Sequence, residues 1–233
     1  MSVMVNNLNR KNIFSRLSLL IFNPNTFFIN LKKKVDLKYP FLLLFLLMPT
    51  LFILRISKLK QAIIIQLQRV PSLTPEQIQS SIPMAHISSV IVLILLPTAT
   101  CIFQSYIIYI IMNIWLIRTG KYNMVFSFCG YSYFPNFIKE SLITGMVLTS
   151  EPGKLPYLTT SIILFFPEID TMFWRLLLSQ INPFIIWNLI LISIGISIFY
   201  KFNLKKIILW VFFFWICYIS IMLLISYIFR GMH

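Results

Sequence analysis

The chain has 233 residues, 58% of them hydrophobic and only 11% charged, against about 45–50% apolar and about 25% charged in a soluble domain. A fold of this size has too little interior for that apolar load, so a water-soluble globule is excluded and lipid is the solvent for much of the surface. Twenty Lys and Arg against six Asp and Glu leave a net charge of +14, which in a membrane protein records orientation and lipid contact before any nucleic acid.

The first 38 residues read as a basic amphipathic arm. Leu17 to Phe22 is too short for the apolar region of a removable signal peptide, and no small-x-small site follows it. From Ile13 to Val35, apolar Phe14, Leu17, Leu20, Ile21, Phe27, Phe28 and Leu31 mix with Arg16, Lys32, Lys33 and Lys34. Pro24 divides this segment, with Asn23 placed to cap the second piece. A basic helix of this kind lies on an anionic leaflet, where each lysine contributes about 1 kcal/mol. Arg16, Lys32, Lys33 and Lys34 are therefore the candidate anionic-lipid contacts.

Residues 39–233 read as a membrane domain of five spans, since a crossing helix needs about 20 predominantly apolar residues. Tyr39 to Leu54 is uncharged for 16 residues, with Arg55 and Lys58 able to snorkel. Ile56, Leu59, Ile63 and Leu67 form a helical stripe that extends it. Thr74-Pro75 then starts the next helix, Pro75 standing at its first position. Gln77 to Ile117 carries no formal charge over 41 residues. Pro97 kinks this stretch, and Thr98 and Thr100 are placed to satisfy freed carbonyls. The third span is interrupted: Tyr122 to Ile138 is apolar, Lys139 and Glu140 break the run, and Ser141 to Leu148 resumes it. Leu155 to Phe166, short and flanked by prolines, predicts a re-entrant or interfacial helix. Leu176 to Tyr200 and Ile207 to Phe229, uncharged for 25 and 23 residues, complete the set. The expected fold is thus an all-α polytopic bundle in one unit.

Charge orients it. With five spans, one side carries 12 Lys and Arg, the other seven together with four of the six acids. The positive-inside rule puts the N-terminus in the cytoplasm and the C-terminus outside, in the cell membrane.

Few residues offer chemistry. Lys139 and Glu140 interrupt an apolar region, and ionisable groups at membrane depth are functional-site candidates. Adjacent helical residues point about 100° apart, so a face-to-face ion pair between them is not expected. Asn136, three and four residues earlier, could bond either one. The plainer reading ends the helix near Ile138 and sends both charges to the headgroups; the sharper one is a polar lock between helices or a partner contact. Asn182 and Pro183 read as cap and first turn, Trp187 as an interface anchor, and Asn188 as an amide facing another helix. Ser193, Gly195 and Ser197 allow close helix approach.

Glu168 and Asp170 read as solvated loop acids. His86 precedes Ser88 and Ser89, but no acid is placed to orient the ring. Cys101, Cys129 and Cys217, far apart in apolar stretches, read as small buried hydrophobes and not as a disulfide or zinc framework. Phe212 to Trp215 spread around a helix as lipid-facing filler. No P-loop is present and no cofactor is called for. The basic residues border spans outside any recognised nucleic-acid module, so a nucleic-acid role is rejected.

The order of motifs has a family resemblance. Phe22-Asn23-Pro24-Asn25-Thr26-Phe27-Phe28 precedes a basic stretch, and Tyr39-Pro40 opens the first span. Tyr131-Ser132-Tyr133-Phe134-Pro135 lies in the third, and Asn182-Pro183-Phe184-Ile185-Ile186-Trp187 leads into the fourth. Lys201 to Lys206 follows. Over about residues 22–224 the chain resembles the Yip1-domain family in its bacterial form. That resemblance implies a five-helix membrane bundle with a cytoplasmic N-terminus and carries no catalytic residues. It points to a non-catalytic accessory or scaffold protein whose partners are the bilayer and other membrane subunits, ABC-type exporter components among them, with a homo-oligomer open. The alternative is a permease subunit of an ABC transporter. That reading requires six spans and so requires residues 155–166 to cross.

Overall fold

The structure is a computed structural model, and it describes residues 13–68, 74–115, 120–166, 168–169 and 171–230. Among these there is no strand, and ten α-helices carry the architecture: α1 (Ile13–Phe22), α2 (Pro24–Lys33), α3 (Lys38–Leu42), α4 (Met48–Gln68), α5 (Pro75–Ile110), α6 (Tyr122–Ser132), α7 (Phe134–Thr149), α8 (Met172–Gln180), α9 (Pro183–Tyr200) and α10 (Leu204–Arg230). The all-α membrane bundle expected from the sequence is the observed fold.

Local chemistry sets the helix ends. The Asn23 side chain accepts from the Thr26 N–H at 3.1 Å, with Pro24 in the first turn of α2. At α5, Thr74 and Gln77 form a reciprocal capping box ahead of Pro75. At α9, Asn182 accepts from the Phe184 N–H at 3.0 Å. That helix stops at Lys201, which adopts a left-handed conformation at φ 58°. Ser197 fixes this turn: its carbonyl accepts from the Phe202 N–H and its hydroxyl donates to the Phe202 carbonyl.

Prolines shape the long helices. α3 and α4 are one helix joined by a π-helical turn over Leu43–Leu47. Pro49 lies just beyond and has no N–H, so a carbonyl one turn earlier is released. Thr98 closes the gap, its hydroxyl donating to the Leu44 carbonyl from α5 at 3.1 Å. Thr98 thus serves the neighbouring helix and not the Pro97 kink of its own, while Thr100 donates to Leu96.

Four helical runs are long and apolar enough to cross a membrane: Lys38–Gln68, Pro75–Asn113, Pro183–Tyr200 and Leu204–Ser226. The expected third span is divided at Tyr133 into α6 and α7. The fourth is shorter than its uncharged run, because Asn182 and Pro183 restart the chain after α8. Leu155 to Phe166 forms no helix of membrane length. It holds parts of two 3-10 turns, Pro152–Tyr157 and Ile162–Phe165.

The core lies where α2, α3, α6 and α9 meet, around Phe28, Leu43, Phe128, Tyr131, Leu191, Ile192 and Ile196. Cys101 and Cys129 are buried there as free thiols, as expected of small hydrophobes, whereas Cys217, expected to be buried too, is only half-buried on α10. α5 and α10 lie outside and leave Ile91, Leu95, Phe103, Leu209, Phe213 and Leu224 exposed.

Candidate functional site

The polar groups of the bundle gather at three levels. At the end where the arm joins, Asp36 is the hub. Its carboxylate accepts from the Arg16 guanidinium at 2.5 Å, the Tyr131 hydroxyl at 2.6 Å and the Lys38 N–H at 2.9 Å. Its carbonyl accepts from the Ser127 hydroxyl at 2.6 Å. One acid thereby ties α1, the start of α3 and α6 together. Around it the Tyr39 and Tyr131 rings stack at 4.5 Å and 12°, and Phe27 meets Tyr131 edge-on at 4.8 Å. Gly130 makes this approach possible, because a Cβ there would lie 2.4 Å from Pro40 Cβ. Residues from three of the motifs quoted for the family resemblance thus meet at one place.

Lys32 does something its position in the arm does not advertise. Its ammonium donates to the Ile198 carbonyl at 2.7 Å and to the Phe199 carbonyl at 2.9 Å. A cation on the last carbonyls of a helix complements the negative end of its dipole. Burial and the neighbouring Lys201 ammonium press the Lys32 pKa below the ordinary lysine value. Lys33 and Lys34 are exposed, and Arg16 holds Asp36.

The middle level is the α6–α7 break. Pro135 has no N–H, and the Asn136 N–H bonds the Tyr133 carbonyl at 3.0 Å instead of reaching Ser132. The Ser132 carbonyl is left open inside the bundle, and the Asn188 amide donates to it at 2.6 Å. Asn188 is 4% exposed, and this bond joins α9 to the end of α6. Asn182 both caps α9 and donates to the Thr160 hydroxyl at 2.8 Å, pinning the loop before α8.

The third level is the α4–α7 contact. Arg55, expected to snorkel, is instead 5% exposed. Its guanidinium donates to the Glu140 carboxylate at 2.9 Å, the Glu140 carbonyl at 2.5 Å and the Thr144 hydroxyl at 2.7 Å. It also lies 4.9 Å from the centre of the Phe52 ring. Helix α7 runs unbroken through Glu140 to Thr149, so the reading that ends it near Ile138 is corrected. Lys139 and Glu140 do pair, at 3.0 Å, because the long lysine side chain reaches around the helix to its neighbour. No side-chain bond from Asn136 to either is among the described ones; the carboxylate is held by Arg55 and Lys139.

Other candidates carry less. The Ser88 and Ser89 hydroxyls both donate to the Ala85 carbonyl and not to His86. Asp170 lies outside the described residues, and Glu168 is exposed. Among the described residues no group of three or more His, Cys, Asp or Glu is placed to hold a metal ion.

The sequence reading missed Arg55, Thr144, Asp36 and Tyr131 as site residues. A signal existed for two of them. Asp36 is the one acid in the first 75 residues, and Arg55 ends an uncharged run whose helix continues beyond it.

Comparison with the curated proteins and with the solved structures finds no match. The Yip1 domain family model matches residues 18–225, which covers nearly the whole chain and takes in all three polar levels except Arg16. With a helical membrane bundle beneath that match, the chain belongs to the Yip1-domain family of membrane proteins.

Proposed function

We propose that the protein is a non-catalytic accessory or scaffold subunit of the cell membrane, with its N-terminus in the cytoplasm and its C-terminus outside. Its partners in this reading are other membrane subunits, those of an ABC-type exporter foremost. The observation that carries the proposal is how the interior polar groups are engaged. Arg55 with Glu140, Asp36 with Tyr131 and Asn188 with Ser132 each join different segments of the chain. Polar groups that bond one another inside a bundle hold helices in place and leave little free for turnover.

The outer faces of α5 and α10 are apolar. α5 and α10 expose long rows of Ile, Leu and Phe, suited to lipid or to the spans of another subunit. The permease alternative needs a sixth crossing at residues 155–166. Two 3-10 turns of six and four residues there favour the accessory reading.

The test is purification of the tagged full-length protein from its native membrane in mild detergent, with mass spectrometry of what stays bound. An exporter ATPase in stoichiometric amount, together with that exporter's own channel-forming subunit, is the expected result. A protein that emerges alone or only as a homo-oligomer overturns the exporter assignment. Recovery with the ATPase but without any other channel-forming chain overturns the accessory role in favour of the permease.

A further inference from the structure

Between the arm and the start of α3 lies an open pocket of about 480 Å³, whose polar lining is Arg16, Asn30, Lys34, Asp36, Lys38 and Tyr131. A volume of this order suits a small ligand or headgroup. Asp36 is the acid of this lining, and its carboxylate already faces the Arg16 guanidinium, the Tyr131 hydroxyl and the Lys38 N–H. Its charge is answered within the wall. Lys34 and Lys38 are exposed, and no described hydrogen bond or ion pair engages either ammonium group. The pocket therefore combines a neutralised floor with two uncompensated cations at its edge.

The setting says which anion reaches it. On α1, beside the pocket, Phe14 and Phe22 are 81% and 83% exposed. Aromatic side chains displayed on an amphipathic helix lie at the boundary of headgroups and acyl chains. An anion presented at that depth is a lipid phosphate, and lysine ammonium groups bind phosphate as point charges. We propose that this pocket binds a phosphate group carried by an anionic phospholipid headgroup, with Lys34 and Lys38 as its cationic contacts. Lys32, turned to the end of α9, takes no part. The site is independent of whether the protein assembles with an exporter.

The test titrates the purified full-length protein in detergent with phosphatidylglycerol or phosphatidylcholine and counts bound lipid by native mass spectrometry. Wild-type protein retains phosphatidylglycerol in preference to phosphatidylcholine. Lys34→Gln/Lys38→Gln weakens phosphatidylglycerol binding about thirty-fold, at roughly five-fold per lysine. Lys34→Arg/Lys38→Arg keeps it, which separates loss of charge from loss of fold. Lys205→Gln/Lys206→Gln, exposed at the start of α10 and outside the pocket lining, leaves it unchanged. Absence of a lipid preference, or an equal loss in both Gln pairs, overturns the pocket. Excess inorganic phosphate is added to the wild-type complex: retention of the lipid assigns the phosphate to a headgroup, and displacement assigns the site to free phosphate and overturns the lipid source.

Discussion

The Arg55 guanidinium reaches both the carboxylate and the main-chain carbonyl of Glu140, a residue on another helix and 85 positions away. The Thr144 hydroxyl takes its third N–H, so the cation is enclosed by acceptors on one face of α7. Removing one partner from such a pair leaves the other charge buried and costs about 3–5 kcal/mol. Glu140→Gln and Arg55→Met should each lower the detergent melting midpoint sharply, as read by size-exclusion after heating. The double variant Arg55→Met/Glu140→Leu should recover much of the loss, since neither charge then remains. Equal losses in the single and double variants would count against the pairing. Lys139→Gln should shift stability by about 1 kcal/mol or less, because that partner is more exposed and its charge better screened.

Gly130 and Gly145 make opposite predictions under one substitution. A Cβ at Gly130 would lie 2.4 Å from Pro40 Cβ and 3.2 Å from Pro40 Cα, while at Gly145 nothing stands within 4 Å. Proline is rigid and cannot step aside, so Gly130→Ala forces α6 away from α3 at about 1–3 kcal/mol. Gly145→Ala should be neutral or stabilising by about 0.5–1 kcal/mol, the gain of alanine over glycine inside a helix. Thermal midpoints of the two variants, measured side by side, check this; a harmless Gly130→Ala would mean that the Pro40 contact is not close.

What could be read from the sequence was local. Asn23-Pro24, Thr74-Pro75 and Asn182-Pro183 each start a helix because the cap and the proline act on the nearest backbone groups. The fold class followed from apolar run lengths. The pairings that build the candidate site are long-range, and a hydropathy pattern holds no register between helices. Tyr39-Pro40 and Tyr131 were visible as motifs, yet only the structure stacks their rings. Arg55 read as a snorkelling end because its partner lay on a distant segment. The third span is interrupted in the sequence for a physical reason: Glu140 looks like a break until Arg55 neutralises it.

Asn188 tests whether the α6–α7 break depends on an outside donor. The Ser132 carbonyl, released near Pro135, is served by the Asn188 amide. Asn188→Leu keeps the branching at Cγ and removes the donor, leaving the carbonyl open in an apolar interior. Interhelical bonds of this kind contribute about 0.6 kcal/mol on average and up to about 1.7 kcal/mol in bilayers. A loss near the upper value is expected, given the burial. Asn182→Ala should cost about 1 kcal/mol through the lost cap, and the two losses should add, because the amides serve different partners.

The location of the C-terminus decides whether α6 and α7 together make a crossing. Neither helix alone reaches membrane length, but Tyr122 to Thr149 in helical rise covers about 42 Å. The contacts climb in register along α3 and α4. Gly130 lies against Pro40, Glu140 and Thr144 meet Arg55, and the Ser150 carbonyl accepts from Lys58. The two runs are therefore side by side and parallel from the arm to beyond Arg55. α9 runs the other way, from Asn182 at Thr160 to Ile198 and Phe199 at Lys32. If the first run crosses the bilayer, a parallel partner of similar length crosses with it, with the charge of Glu140 neutralised by Arg55 and Lys139 at depth. α10 then starts on the side of the arm and ends on the other. Cysteine labelling with a membrane-impermeant maleimide, at single cysteines introduced at residue 11 and residue 232 of an otherwise cysteine-free chain, should find the two ends on opposite faces. Labelling of both from the same face would reduce the crossings to four and place α6 and α7 against the bundle without traversing it.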